Sequence, residues 1–436
     1  MKQLTLYICA WLCSWSLKTA AHTQTDSLQS VTQIIADHAS LIPGLTKDHL
    51  KRPVLSWVEQ LTENRFRMRY AISTNNGKSF EAPVIVTPSI TLSPHAENAP
   101  KLVFKPSGEI IAIWGVTSTS LQQGIEKKEG SDEHIHHNGT NTIKSTPKSK
   151  YAGQIYYSQS FDEGKNWTTA RPLVNDPEGN DQRYFDVALN QDGEAIIIWL
   201  DNRKTTNQEG SALFMATTYQ QEGFQQQHKI NETTCQCCRT KLLIDQQNRI
   251  HVVYRAILQD SIRDMVHQVS SDGGKTFSTP KRIHDDNWIV KTCPHTGPTM
   301  TVNQSGLHFA WYSASPKKAT YFTSSTDNGT SFTGFTTLSE TARHPQMHTL
   351  ANQLIGVVWD EVLRMGETPT TGIGMEWKNR EGKTIGKLTL TIPEEMAAYP
   401  VILPLEDAFL LAYQVKTPAG QRIGWKIASP PTSTTP

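Results

Sequence analysis

The chain has 436 residues, 42 of them Lys or Arg and 41 Asp or Glu, for a formal net charge of +1. So even a balance argues against nucleic acid as the main partner, because phosphate binding needs a concentrated basic field. At 37% hydrophobic residues the chain can bury a large core, and no run beyond the N-terminus is long and apolar enough for a bilayer-spanning helix.

The N-terminus reads as an export signal. Lys2 supplies a positive start, Leu4 to Trp15 an apolar stretch, and Thr19-Ala20-Ala21 the small residues of a cleavage site before His22. Residues 1–21 are therefore expected to be removed, which places the mature protein in the periplasm or outside the cell. Cys9 and Cys13 would leave with them, so only Cys235, Cys237, Cys238 and Cys293 remain, in a compartment that permits disulfides.

From there on the sequence repeats itself. Seven units follow one another at a period of about 50 to 60 residues, the range of propeller blades. Each has a short first strand, an apolar second strand rich in Trp, a third strand and a Gly turn. The first strands are, in order, "SLIPGL", "NAPKLVF", "YFDVALN", "RTKLLID", "GPTMTVN", "HPQMHTL" and "YPVILPL". The second unit carries an insertion over 117–151, containing "HIHH" at His134 to His137. The seventh ends after its third strand, and "SVTQIIA" at Ser30 to Ala36 can supply its fourth from the N-terminus. Such four-stranded antiparallel units cannot cover both their faces alone, so they stack radially. The expected fold is all-β, a single seven-bladed β-propeller over residues 22–429, or six-bladed if an end unit is only partial. A Pro/Ser/Thr-rich tail closes the chain at 430–436. The tryptophans at 57, 114, 199, 311 and 359 share one strand position and are expected to pack between blades.

A second repeat sits after the third strands: "STNNGKSF", "SFDEGKNW", "SSDGGKTF" and "STDNGTSF", starting at Ser73, Ser160, Ser270 and Ser325. Asn75, Asp162, Asp272 and Asp327 can each cap backbone N–H groups of a hairpin turn. Gly77, Gly164, Gly274 and Gly329 can supply a positive φ, and the closing aromatic a wedge between sheets. Four copies in matching places resemble the Asp-box, or BNR repeat, of the sialidase superfamily. The resemblance implies a propeller whose boxes are structural and lie away from the active site. It further implies a search for three arginines that clamp a carboxylate, a tyrosine nucleophile with a glutamate partner, and an aspartate acid/base. The family's Phe/Tyr-Arg-Ile-Pro motif is missing; the nearest segment, Ser40 to Leu45, contains no arginine.

Strand direction alternates within a blade, so residues just before each first strand ring the mouth of the axial channel, on the side opposite the Asp-boxes. Ligands gather at such a mouth, where several blades contribute one residue each. The segments there are rich in chemistry: His95 and Glu97, Asp181 and Arg183, Cys235 to Arg239, Cys293 and His295, Arg343 and His344. Three readings follow. Four cysteines can form two disulfides that staple the rim. Thiolates of Cys235, Cys237, Cys238 and Cys293, with imidazoles of His295 and His344, make a soft set for copper or zinc. Copper is favoured, and the lead expectation is a metal-binding protein or an enzyme other than a sialidase. The resemblance implies the third reading, an exo-sialidase-like hydrolase. Arg183, Arg239 and Arg343 would then clamp an acidic sugar, with Asp201, Glu361 and Tyr399 as candidates for the chemistry. The first reading makes the chain a structural or partner-binding propeller; otherwise a small molecule, a metal ion or a glycan is expected as partner at the mouth. Arg203 or Arg255 is expected to pair with Asp201 or Glu59.

Overall fold

A computed structural model describes residues 32–33, 38–117, 153–203, 206–290 and 295–431. Residues 1–31, which include the export signal expected at 1–21, the "HIHH" run of the insertion and Cys293 lie outside them. The described strands form seven four-stranded antiparallel sheets and almost no helix. The protein is a seven-bladed β-propeller, and the six-bladed alternative is ruled out.

Blade one is built from Ser40–Lys47, Pro53–Thr62, Arg65–Ile72 and Val84–Val86. Blade four runs Lys241–Ile244, Ile250–Arg255, Met265–Ser270 and Lys281–Arg282, and the other complete blades repeat this order. Blade seven takes its outer strand from the other end of the chain: Thr32 pairs with Trp425 and Gln33 with Gly424. The ring thus closes with an N-terminal strand, as the truncated seventh repeat requires. First strands contact the first strands of both neighbours right around the ring, so they line the axis.

Each blade buries its faces against the next, which gives seven apolar clusters, one per inter-blade seam. The recurring tryptophans lie in these seams. Trp57, Trp114, Trp199, Trp311 and Trp359 are all essentially buried, each turned toward the preceding blade.

The Asp-boxes act as clasps. In the second copy, Asp162 Oδ1 accepts from Asn166 N at 2.8 Å and Ser160 Oγ accepts from Gly164 N at 2.9 Å. The same two bonds recur around Asn75, Asp272 and Asp327. Gly164 has φ +85°, and a Cβ there would meet the Tyr70 hydroxyl of blade one at 2.1 Å. Glycine is needed both for its conformation and for the closeness of the neighbouring blade.

Candidate functional site at the channel mouth

The opposite face is shaped by distorted inner strands. Ile42, Tyr184, His344 and Tyr399 occupy matching positions where four first strands begin, and all have positive φ, from 49° to 56°. The register slips beside each of them, between Leu41 and Gly44, Arg183 and Asp186, Arg343 and Gln346, and Ala398 and Val401. Left-handed backbone at a bulky residue costs roughly 1–3 kcal/mol, so it persists only where the surroundings enforce it. Here the preceding blade does so. The N–H of Ile42 donates to Gln414 Oε1, Tyr184 to Asn98 Oδ1, His344 to Thr296 Oγ1 and Tyr399 to Asp360 Oδ2, at 2.7–3.1 Å. The rim is therefore a ring of side chains held in place blade by blade.

One ion pair ties four blades together across this rim. Arg239 of blade four donates to Glu97 of blade two at 2.5 Å and to the Pro345 carbonyl of blade six at 2.7 Å. The other Glu97 oxygen accepts from Gly297 N of blade five at 2.9 Å. A Cβ on Gly297 would fall 2.1 Å from Arg239 Cγ, so the arginine passes where only glycine leaves room. Beside this pair, His344 Nδ1 lies 2.8 Å from Asp360 Oδ2, and its ring lies 4.5 Å from that of Tyr399. Burial lowers the His344 pKa, but the Asp360 carboxylate outweighs it and the net direction is up. Burial, with Asp360 and Glu97 nearby, raises the Tyr399 hydroxyl.

The three candidate arginines have separate commitments. Arg183 pairs with Asp181, Arg239 with Glu97, and the Arg343 guanidinium lies 3.9 Å from the centre of the Tyr312 ring. Of the three, only Arg239 reaches the axial cavity. Asp201 is consumed by Arg203 and the Trp199 indole, and Glu361 accepts from Ser339. Arg203 thus pairs as expected, but among the described residues Arg255 has no acidic partner. Its guanidinium donates to the carbonyls of Arg263 and Tyr312 and lies over Trp288, while Glu59 is held by Arg67 and Arg69. The reason is position: Arg255 ends its strand beneath the rim, where carbonyls rather than carboxylates converge.

The sulfurs of Cys235, Cys237 and Cys238 lie within 4.8 Å of one another, and no histidine joins them among the described residues. They do not open onto the axial cavity, as rim segments were expected to. All three are at most 5% exposed and pack with Ile257 below the surface of blade four, where a thiol behaves as a small apolar group. Cys235 and Cys238 are free thiols. The hydrogen bond from Cys238 and the Arg255 and Arg263 guanidiniums hold the Cys235 thiol down to about 6 against its burial. Cys238, which donates that bond and is fully buried, is pushed up. His295 and His344 stand on the rim away from this cluster.

Deeper in the channel is a set that the sequence reading did not single out. Lys101 of blade two and Lys241 of blade four each lie 3.2 Å from an oxygen of Asp186 of blade three. Burial raises the Asp186 pKa, but the two lysines outweigh it and bring it to about 2. A signal was available: Lys101 and Lys241 each open a first strand that is otherwise apolar.

The BNR repeat-like domain family matches residues 141–410. No curated protein matches the sequence. Among solved structures, the intramolecular trans-sialidase of Ruminococcus gnavus in complex with oseltamivir carboxylate is 11% identical. The match covers 76% of this chain and 92% of that one, with a TM-score of 0.50. A protein of unknown function from Dyadobacter fermentans is 14% identical over 76% and 93%, at 0.48. The NanB sialidase of Streptococcus pneumoniae is 12% identical over 92% and 70%, at 0.46. At these identities the likeness is one of fold.

Proposed function

The chain belongs to the BNR repeat-like domain family, and on that premise we propose that it is an exported propeller that binds a soft metal ion, copper(I) rather than zinc, on Cys235 and Cys238. The observation that supports this reading is the pair of free, buried thiols in a three-sulfur cluster. Thiolate donors select copper(I). Structural zinc wants four ligands, and with the histidines elsewhere the described residues supply too few. Two thiolates around a monovalent ion leave one negative charge, which the buried Arg255 guanidinium beside Cys235 offsets. A buried ion pair of this kind tolerates loss of neither partner. The sialidase-like alternative is disfavoured by the separate engagements of Arg183, Arg239 and Arg343.

The test is copper(I) titration of the purified, processed protein against a chromophoric chelator. One equivalent should bind, and Cys235→Ser or Cys238→Ser should each abolish it while the circular dichroism spectrum stays native. A wild-type protein that leaves all the copper with the chelator would overturn the proposal.

A further inference from the structure

The axial cavity has a volume of about 310 Å³, and its lining is not balanced in charge. Two carboxylates face it, Glu97 and Asp186, and both already have partners. Glu97 is satisfied by Arg239 and Gly297 N, within the rim network. Asp186 is shared by two lysines and also accepts from Leu242 N. A lysine ammonium has three N–H donors. Asp186 engages one from Lys101 and one from Lys241, and the described residues offer neither lysine a second acidic partner. Further from the mouth, His348 of blade six also lines the cavity, close enough to Lys241 and to Lys47 of blade one for both to act on its charge. Two ammonium groups from two blades thus line one cavity and share a single carboxylate, with a third, Lys47, near His348.

We infer that this stretch of the channel binds a small multivalent oxyanion of phosphate type, bridged between Lys101 and Lys241 with His348 alongside. The anion accepts the N–H donors that Asp186 leaves over, and the low-dielectric walls strengthen the attraction. Lysine suits such a site, acting as a point charge on phosphate. The site is separate from the thiol pair and independent of the copper reading.

Calorimetric titration of the whole protein with inorganic phosphate, at ionic strength held constant with chloride, tests it. Saturable binding is expected. Lys241→Met should weaken it about tenfold or more, which corresponds to about 1.4 kcal/mol. Asp186→Asn, which removes the competing carboxylate, should tighten it. Nuclear magnetic resonance of the His348 imidazole should show its titration midpoint rising when phosphate is present. Cys235→Ser should leave all of this unchanged, so the copper proposal can fail without touching it. The inference is overturned if phosphate gives no saturable heat, or if the lysine and aspartate variants shift affinity in the same direction.

Discussion

Replacing Glu97 by alanine tests whether the rim is one cooperative network or a set of independent blades. Glu97 and Arg239 are 4% and 12% exposed at their side chains, so little solvent screening applies. Removing the carboxylate leaves Arg239, among the described residues, with the Pro345 carbonyl alone and strips the buried Gly297 N–H of its acceptor. Breaking a buried ion pair by deleting one partner costs about 3–5 kcal/mol, mostly the penalty of the charge left behind. Against a typical total stability of about 5–15 kcal/mol, that is a large share. Urea unfolding followed by tryptophan fluorescence should show the loss. Arg239→Met in the Glu97→Ala background should recover part of it, giving a coupling energy above about 1 kcal/mol in the double-mutant cycle. Were Glu97→Ala within about 1 kcal/mol of wild type, or the two substitutions additive, the cross-channel tie would carry no stability and the account of the rim would be wrong.

Other outcomes follow from the same structure. Asp186 titrates near 3.8 in the unfolded chain and about 2 in the folded one, so it contributes about 2 kcal/mol above pH 5. That contribution disappears as pH falls toward 2, and urea midpoints at pH 6 and pH 3 should differ less in Asp186→Asn than in wild type. Gly164→Ala sets a Cβ against Tyr70 at a positive φ and should lower stability by about 1–3 kcal/mol. The same change at exposed Gly366, where nothing stands within 4 Å, should fall within about 0.5 kcal/mol. Gly297→Ala should displace Arg239 and reproduce much of the Glu97→Ala loss in the same denaturation assay.

The propeller was legible in the sequence because its parts are local and repeated. Apolar second strands with Trp at a fixed position, and Ser-x-Asp-x-Gly turns, state their own conformation within ten residues, and seven copies leave little freedom in how they stack. The closing strand at Thr32–Gln33 was inferable because the seventh repeat is visibly one strand short. The same repetition located the mouth and so drew attention to Cys235, Arg239 and His344.

What each rim residue does was not legible, since partners come from different blades and lie hundreds of residues apart, 200 between Gly297 and Glu97 and 372 between Ile42 and Gln414. Three arginines at equivalent places looked like a clamp, but each found a different neighbour. The cysteines looked like mouth ligands; the bend of the segment turned their sulfurs inward, against Ile257, and left Arg239 to face the channel. Local turn chemistry and hydrophobic period are properties of short stretches and are written in them. The pairing of charges and the depth of a thiol depend on which chain segments ring closure brings together, and that only the tertiary structure decided.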